Sequence, residues 1–76
     1  MTIEQKLEII REVLETGKSG RHFISLVAST QMEWLSFGIF NSAGNSVEVF
    51  YIDEPTQRQR LDHWLEVIRL EQKHES

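Results

Sequence analysis

The sequence predicts an α+β fold: a two-layer sandwich of order α-β-β-β-α, with a three-stranded antiparallel meander and two helices on one face. Three observations carry that expectation. Apolar residues recur at helical spacing over 3–16 and again over 56–73. Between them, runs near 22–29, 33–40 and 46–52 alternate with period two and are rich in strand formers. The connections are short, which favours antiparallel neighbours, and three strands need a second layer to be stable in water.

In the first helix Ile3, Leu7, Ile10 and Leu14 form one stripe. Thr2 suits the N-cap, Gln5 completes a capping box, and Gly17 offers the left-handed residue that commonly ends a helix. Ile9 and Val13 make a second row about 100° round. Both rows are expected in the core, one against the sheet and one against the other helix.

Lys18 to Arg21 is a short link. In the first strand Ile24, Leu26 and Ala28 share a face, and Phe23, Ser25 and Val27 the other. In the second, Leu35, Phe37 and Ile39 alternate with Trp34, Ser36, Gly38 and Phe40. Asn41 to Ser46 reads as a turn, because Asn and Gly tolerate positive φ. In the third, Val47, Val49 and Tyr51 face one way, and Glu48, Phe50 and Ile52 the other.

Asp53-Glu54-Pro55-Thr56 reads as a helix start, with Thr56 and Gln59 as a second capping box. Leu61, Trp64, Leu65 and Ile68 form the main stripe of this helix; Val67 flanks it and Leu70 lies near the opposite side. The most buried side chains are expected to be Leu7, Ile10, Leu14, Leu35, Phe37, Ile39, Leu61, Leu65 and Ile68.

Seventy-six residues fit one small domain over 1–76, with a tail at 74–76 expected to fray. Twelve acids against eight bases give −4, the wrong sign for a strongly basic nucleic-acid module. No apolar run approaches the ~20 residues needed to span a bilayer, and no signal-peptide core opens the chain, so a cytoplasmic protein is expected. The chain has no cysteine, which excludes disulfides, thiolate zinc sites and a cysteine nucleophile.

Catalytic groupings are sparse. Gly17 and Gly20 lack the downstream pattern of a phosphate-binding loop, and no serine sits in a nucleophile elbow. His63 and Glu66 are three apart on a helix, but without a second such pair they read as a solvated face. The carboxylate pairs Glu4/Glu8, Glu8/Glu12 and Asp62/Glu66 lie near Arg11 and Arg69 and read as surface ion pairs. No catalytic residue, metal ligand set or cofactor is expected.

Charge distribution says more. Residues 1–21 and 58–76 are each neutral, whereas 22–57 hold Glu33, Glu48, Asp53 and Glu54 and no Lys or Arg. Two helices cover one face of a small sheet, so the other is expected to show Trp34, Phe40 and, according to pairing, Phe23 or Phe50. Trp34, Phe40, Glu33 and Glu48 on the sheet, with Val67 and Leu70 on the second helix, are therefore the expected partner-binding residues. The partner is expected to be a protein with a basic surface; the alternative is a homodimer burying this face, or Val67 and Leu70.

Small acidic chains of this size and order are similar in organisation to phage and mobile-element inhibitors of nucleic-acid-handling host proteins. The order α-β-β-β-α over residues 3–73 is also similar to the double-stranded-RNA-binding domain, which implies RNA contacts from the start of the second helix and the first inter-strand loop. The corresponding residues here are Thr56-Gln57-Arg58-Gln59-Arg60, with two bases about 200° apart, and Ser29-Thr30-Gln31-Met32, without a histidine. The first expectation is thus a non-catalytic protein-binding adaptor, accessory factor or inhibitor; the alternative is an RNA-binding module.

Overall fold

A computed structural model describes residues 1–31, 33–54 and 56–75. The expectations that involve Met32 in the first inter-strand loop, Pro55 in the helix start and Ser76 in the tail lie outside them. The elements are α1 (Ile3–Thr16), β1 (His22–Ala28), β2 (Leu35–Asn41), β3 (Ser46–Ile52) and α2 (Gln59–Glu75). The strands form one antiparallel sheet in the order β1-β2-β3, and both helices pack on one of its faces, as the sequence predicts.

The register fixes the faces. Leu26 pairs with Phe37 and Phe37 with Phe50, so period-two alternation sends Ile24, Leu26, Leu35, Phe37, Ile39, Glu48, Phe50 and Ile52 towards the helices. Asn41 closes the second hairpin: its carbonyl accepts from the Gly44 N–H at 2.9 Å, and its Oδ1 from the N–H groups of Ala43 and Asn45 at 3.0 Å. Gly44 takes φ +84°, the conformation the turn sequence calls for.

The core is Leu35, Phe37, Ile39 and Ile52 from the sheet, Leu61, Leu65 and Ile68 from α2, and Ile9 and Val13 from α1. The α1 contribution corrects the sequence expectation. Leu7 and Leu14 are 58% and 77% exposed, and Ile10 is half-buried. A helix at the side of a three-stranded sheet has one inward direction, and here the α1–α2 contacts set it. Glu12 Oε2 accepts from Arg58 Nη2 at 2.6 Å, and the Thr16 carbonyl from Gln72 Nε2 at 3.2 Å. With Glu12 and Thr16 towards α2, Ile9 and Val13 point into the core. The Ile3/Leu7/Ile10/Leu14 row then sits about 110° away, beyond the β1 side of the sheet.

The α1 capping box is present: Thr2 Oγ1 accepts from the Gln5 N–H at 3.1 Å, and Gln5 Oε1 from the Thr2 N–H at 2.9 Å. Gly17 does not adopt the expected left-handed conformation; its φ is −78°. Close approach explains this glycine instead, since a Cβ would lie 2.5 Å from the Val13 carbonyl oxygen and touch Ile24. The other helix begins later than expected, at residue 59. Gln57 is held in a turn, donating its N–H to the Glu54 carbonyl at 3.0 Å and accepting from the Asp53 N–H at 3.2 Å. That helix runs through Glu75, two residues past its expected end at 73. Glu75 Oε1 accepts from the Gly20 N–H at 2.6 Å, and Gln72 Nε2 donates to the Lys18 carbonyl at 2.6 Å.

Candidate functional site

The sheet face turned away from the helices is built by the residues that alternate with the core. Phe23 and Phe40 are cross-strand partners, and their rings stack at 5.3 Å. Trp34 enters β2 on this face and meets Tyr51 edge-on at 5.1 Å. Val27, Val47 and Val49 fill positions between them; Val49 is 58% and Tyr51 64% exposed. No charged side chain falls at a strand position of this face: the remaining positions are Ser25, Ser36, Gly38 and Ser46. The result is an apolar and hydroxyl surface with acids at one end, where Glu33 precedes β2 and Asp53 and Glu54 follow β3.

Gly38 lets the aromatic pair lie flat. A Cβ there would stand 2.8 Å from Cε2 of Phe40, so any side chain at 38 displaces that ring. Gly38→Ala is therefore expected to break the Phe23–Phe40 stack while leaving the fold intact. The check is a change in the ring-current shifts of both phenylalanines with far-UV circular dichroism unchanged. Loss of the folded spectrum would mean that Gly38 serves the backbone instead.

The six residues expected to bind a partner do not form one surface. Trp34 and Phe40 lie on the open face, with Glu33 at its end, its side chain 83% exposed. Glu48 points to the opposite side, towards α2. It accepts from Trp64 Nε1 at 2.5 Å and is bridged by Arg60. Val67 and Leu70 are on α2, in the other layer, with Leu70 47% exposed and Val67 half-buried. Of the two further aromatics that pairing could bring to this face, Phe23 and Phe50, the register selects Phe23, and it adds Tyr51, which the sequence reading does not place there. The alternation in β1 and β3 held the signal, but it needed the inter-strand register to place them. Phe50 belongs to the core side, where it stacks on Phe37 at 5.3 Å.

The helix side holds two polar clusters. In the first, Glu71 accepts from Ser19 Oγ at 2.9 Å and from His22 Nδ1 at 2.8 Å, while the Trp64 ring packs 5.4 Å from His22. Ser19 Oγ also accepts from the His22 N–H at 3.0 Å. The serine proton is thus directed at the carboxylate and not at the imidazole, an arrangement that fastens a turn rather than activates a nucleophile. In the second, Arg58 bridges Glu12 and Asp62. The Glu12 hydrogen bond, more than any other influence, raises the Arg58 pKa above its ordinary value, with the charges of Glu12 and Asp62 adding to it and burial opposing it. Among the described residues no three His, Asp or Glu side chains gather to hold a metal ion, and no helix is long and apolar enough to cross a membrane.

No known protein family, curated protein or solved structure matches this chain.

Proposed function

We propose that this chain is a non-catalytic protein-binding module, acting in the cytoplasm as an adaptor, accessory factor or inhibitor, and that the open sheet face is its binding surface. One observation carries the reading: a contiguous face of two aromatic pairs and three valines, free of charge at its strand positions, which neither helix covers. Faces of this kind, with an apolar centre and a polar rim, are typical of protein interfaces. The rim sets the partner's chemistry. Glu33, Asp53 and Glu54 are exposed and no Lys or Arg lies between residues 22 and 57, so an apolar patch bordered by Lys or Arg is the complementary surface.

The RNA-binding alternative loses support from the same features. Arg58 and Arg60, the bases at the start of the second helix, are engaged by Glu12, Asp62 and Glu48 within the chain. Phosphate binding requires cations that can leave their counterions.

The test is affinity capture from the native host with three baits: wild type, Val49→Arg, and Glu33→Lys/Asp53→Lys/Glu54→Lys. Val49→Arg puts a cation in the middle of the face and is expected to leave stability within about 0.5 kcal/mol, as surface changes do. A protein retained by wild type, lost with Val49→Arg and weakened by the triple reversal is the expected result. Proteins recovered equally by all three baits, or recovery of RNA alone, would refute the proposal.

A further inference from the structure

We infer that two copies of this chain associate about a two-fold axis, α1 packing antiparallel on α1, through the Ile3/Leu7/Ile10/Leu14 row. The surface lies on the helix side of β1 and meets the open sheet face only at Phe23.

The core is unfinished on that side. Leu35, Phe37, Ile39 and Ile52 on β2 and β3 are fully buried, whereas Ile24 and Leu26, on the same sheet face in β1, are only partly covered. Between α1 and β1 runs an open groove lined by Val13, Leu14, Phe23, Ile24 and Leu26. Ile3, Leu7 and Leu14 stand along the outer flank, 76%, 58% and 77% exposed. Leu70 on α2, by contrast, is a single half-exposed side chain of the kind ordinary surfaces carry.

The sheet edges differ in the same sense. β3 carries two devices that discourage strand pairing: an inward-pointing charge at Glu48 and a register irregularity opposite Ile39/Phe40. β1 has no Lys, Pro or bulge. The segment at 17–19 covers its first half, where the Ile24 N–H bonds the Gly17 carbonyl at 2.8 Å, and leaves the Leu26–Ala28 half beside the groove open.

What fits the row is the row itself. An axis between Leu7 and Ile10 sets Leu7 against the partner's Ile10 and Ile3 against the partner's Leu14, which alternates positions a and d as antiparallel pairs do. The charges then match. Glu4 and Arg11 share the flanking position e, and a rise of 1.5 Å per residue puts Arg11 within about 3 Å along the axis of the partner's Glu4, twice over by symmetry. The open sheet face has no such self-match, because its rim is acidic only and a two-fold would set acids against acids. At ~100 Å² per exposed side chain the row supplies about 300–400 Å² per copy, and the groove residues carry the pair towards the ~1,200 Å² low end of specific interfaces. The dimer is accordingly weak, with a dissociation constant in the range of about 1–100 μM.

Sedimentation equilibrium over about 5–500 μM tests this, alongside circular dichroism. Wild type should pass from monomer to dimer, and Leu7→Glu should stay a folded monomer throughout. Glu4→Arg and Arg11→Glu should each weaken association about tenfold, and the double swap on one chain should restore it, because only a two-fold contact meets both changes at once. A wild type that remains monomeric, a double swap as weak as either single change, or unimpaired dimers of Leu7→Glu would each overturn the inference. If Leu7→Glu unfolds, the swap alone decides.

Discussion

Phe37→Ala is expected to remove about 3–5 kcal/mol of stability, the usual range for deleting a fully buried aromatic ring. A chain of this length has roughly 4–11 kcal/mol in total, so the variant should be partly or wholly unfolded at 25 °C. The position explains the size of the loss. Phe37 lies at the middle of the central strand, is 0% exposed, faces Leu26 on one neighbour and stacks on Phe50 of the other. Both helices close over it, so the cavity has walls on every side and little freedom to collapse. Urea denaturation followed by fluorescence of the two tryptophans gives the number, with an unchanged slope showing that the native state has lost stability rather than compactness. A control pair on α1 belongs with it, run below the concentration at which copies associate. Ile9→Ala should cost about 2–5 kcal/mol and Leu7→Ala no more than about 0.5. The reverse order would mean that the Leu7 stripe is the buried one.

That control marks where the sequence was legible and where it was not. The strands could be read because alternation survives any choice of partner: Leu35, Phe37 and Ile39 must share a face whatever lies opposite. The second helix had a single apolar stripe, and Leu61, Leu65 and Ile68 went where it pointed. The first helix had two rows, and spacing alone favoured the longer one. The rotation adopted buries Ile9 and Val13 and brings Glu12 to Arg58, 46 positions away, a pairing that spacing within one helix does not show. Local spacing puts Glu12 among the solvated acids of the helix. Glu48 failed in a related way. It stands in a strand of exposed character, and only the Ile39 pairing sends it to the helix side, where Trp64 and Arg60 receive it. The open face was half legible. Trp34 and Phe40 followed from alternation within one strand, while Phe23 and Tyr51 joined them through pairing between strands.

Glu71 is the other position where one substitution should have a large effect, and no local pattern in the sequence singles it out. Its side chain is 12% exposed and accepts from Ser19 Oγ and His22 Nδ1, linking the C-terminal half of α2 to the connection between α1 and β1. Glu71→Ala leaves the partly buried His22 imidazole N–H without an acceptor and the Ser19 hydroxyl with only the longer contact to the His22 carbonyl at 3.4 Å, and is expected to cost about 2–3 kcal/mol. Ser19 also receives the N–H groups of Arg21 and His22, so loosening its hydroxyl frees the start of β1. Amide exchange should quicken at Gly20, His22 and Ile24 and along the last turn of α2, while β2 and β3 keep their protection. Replacing the imidazole and the carboxylate together by apolar residues, His22→Phe with Glu71→Leu, should recover much of the loss, because no imidazole donor is then abandoned and Ser19 Oγ still accepts from the Arg21 and His22 N–H groups. A loss below about 0.5 kcal/mol for Glu71→Ala, or exchange that quickens uniformly over the sheet, would show that the cluster is solvated and that α2 is held by Leu61, Leu65 and Ile68 alone.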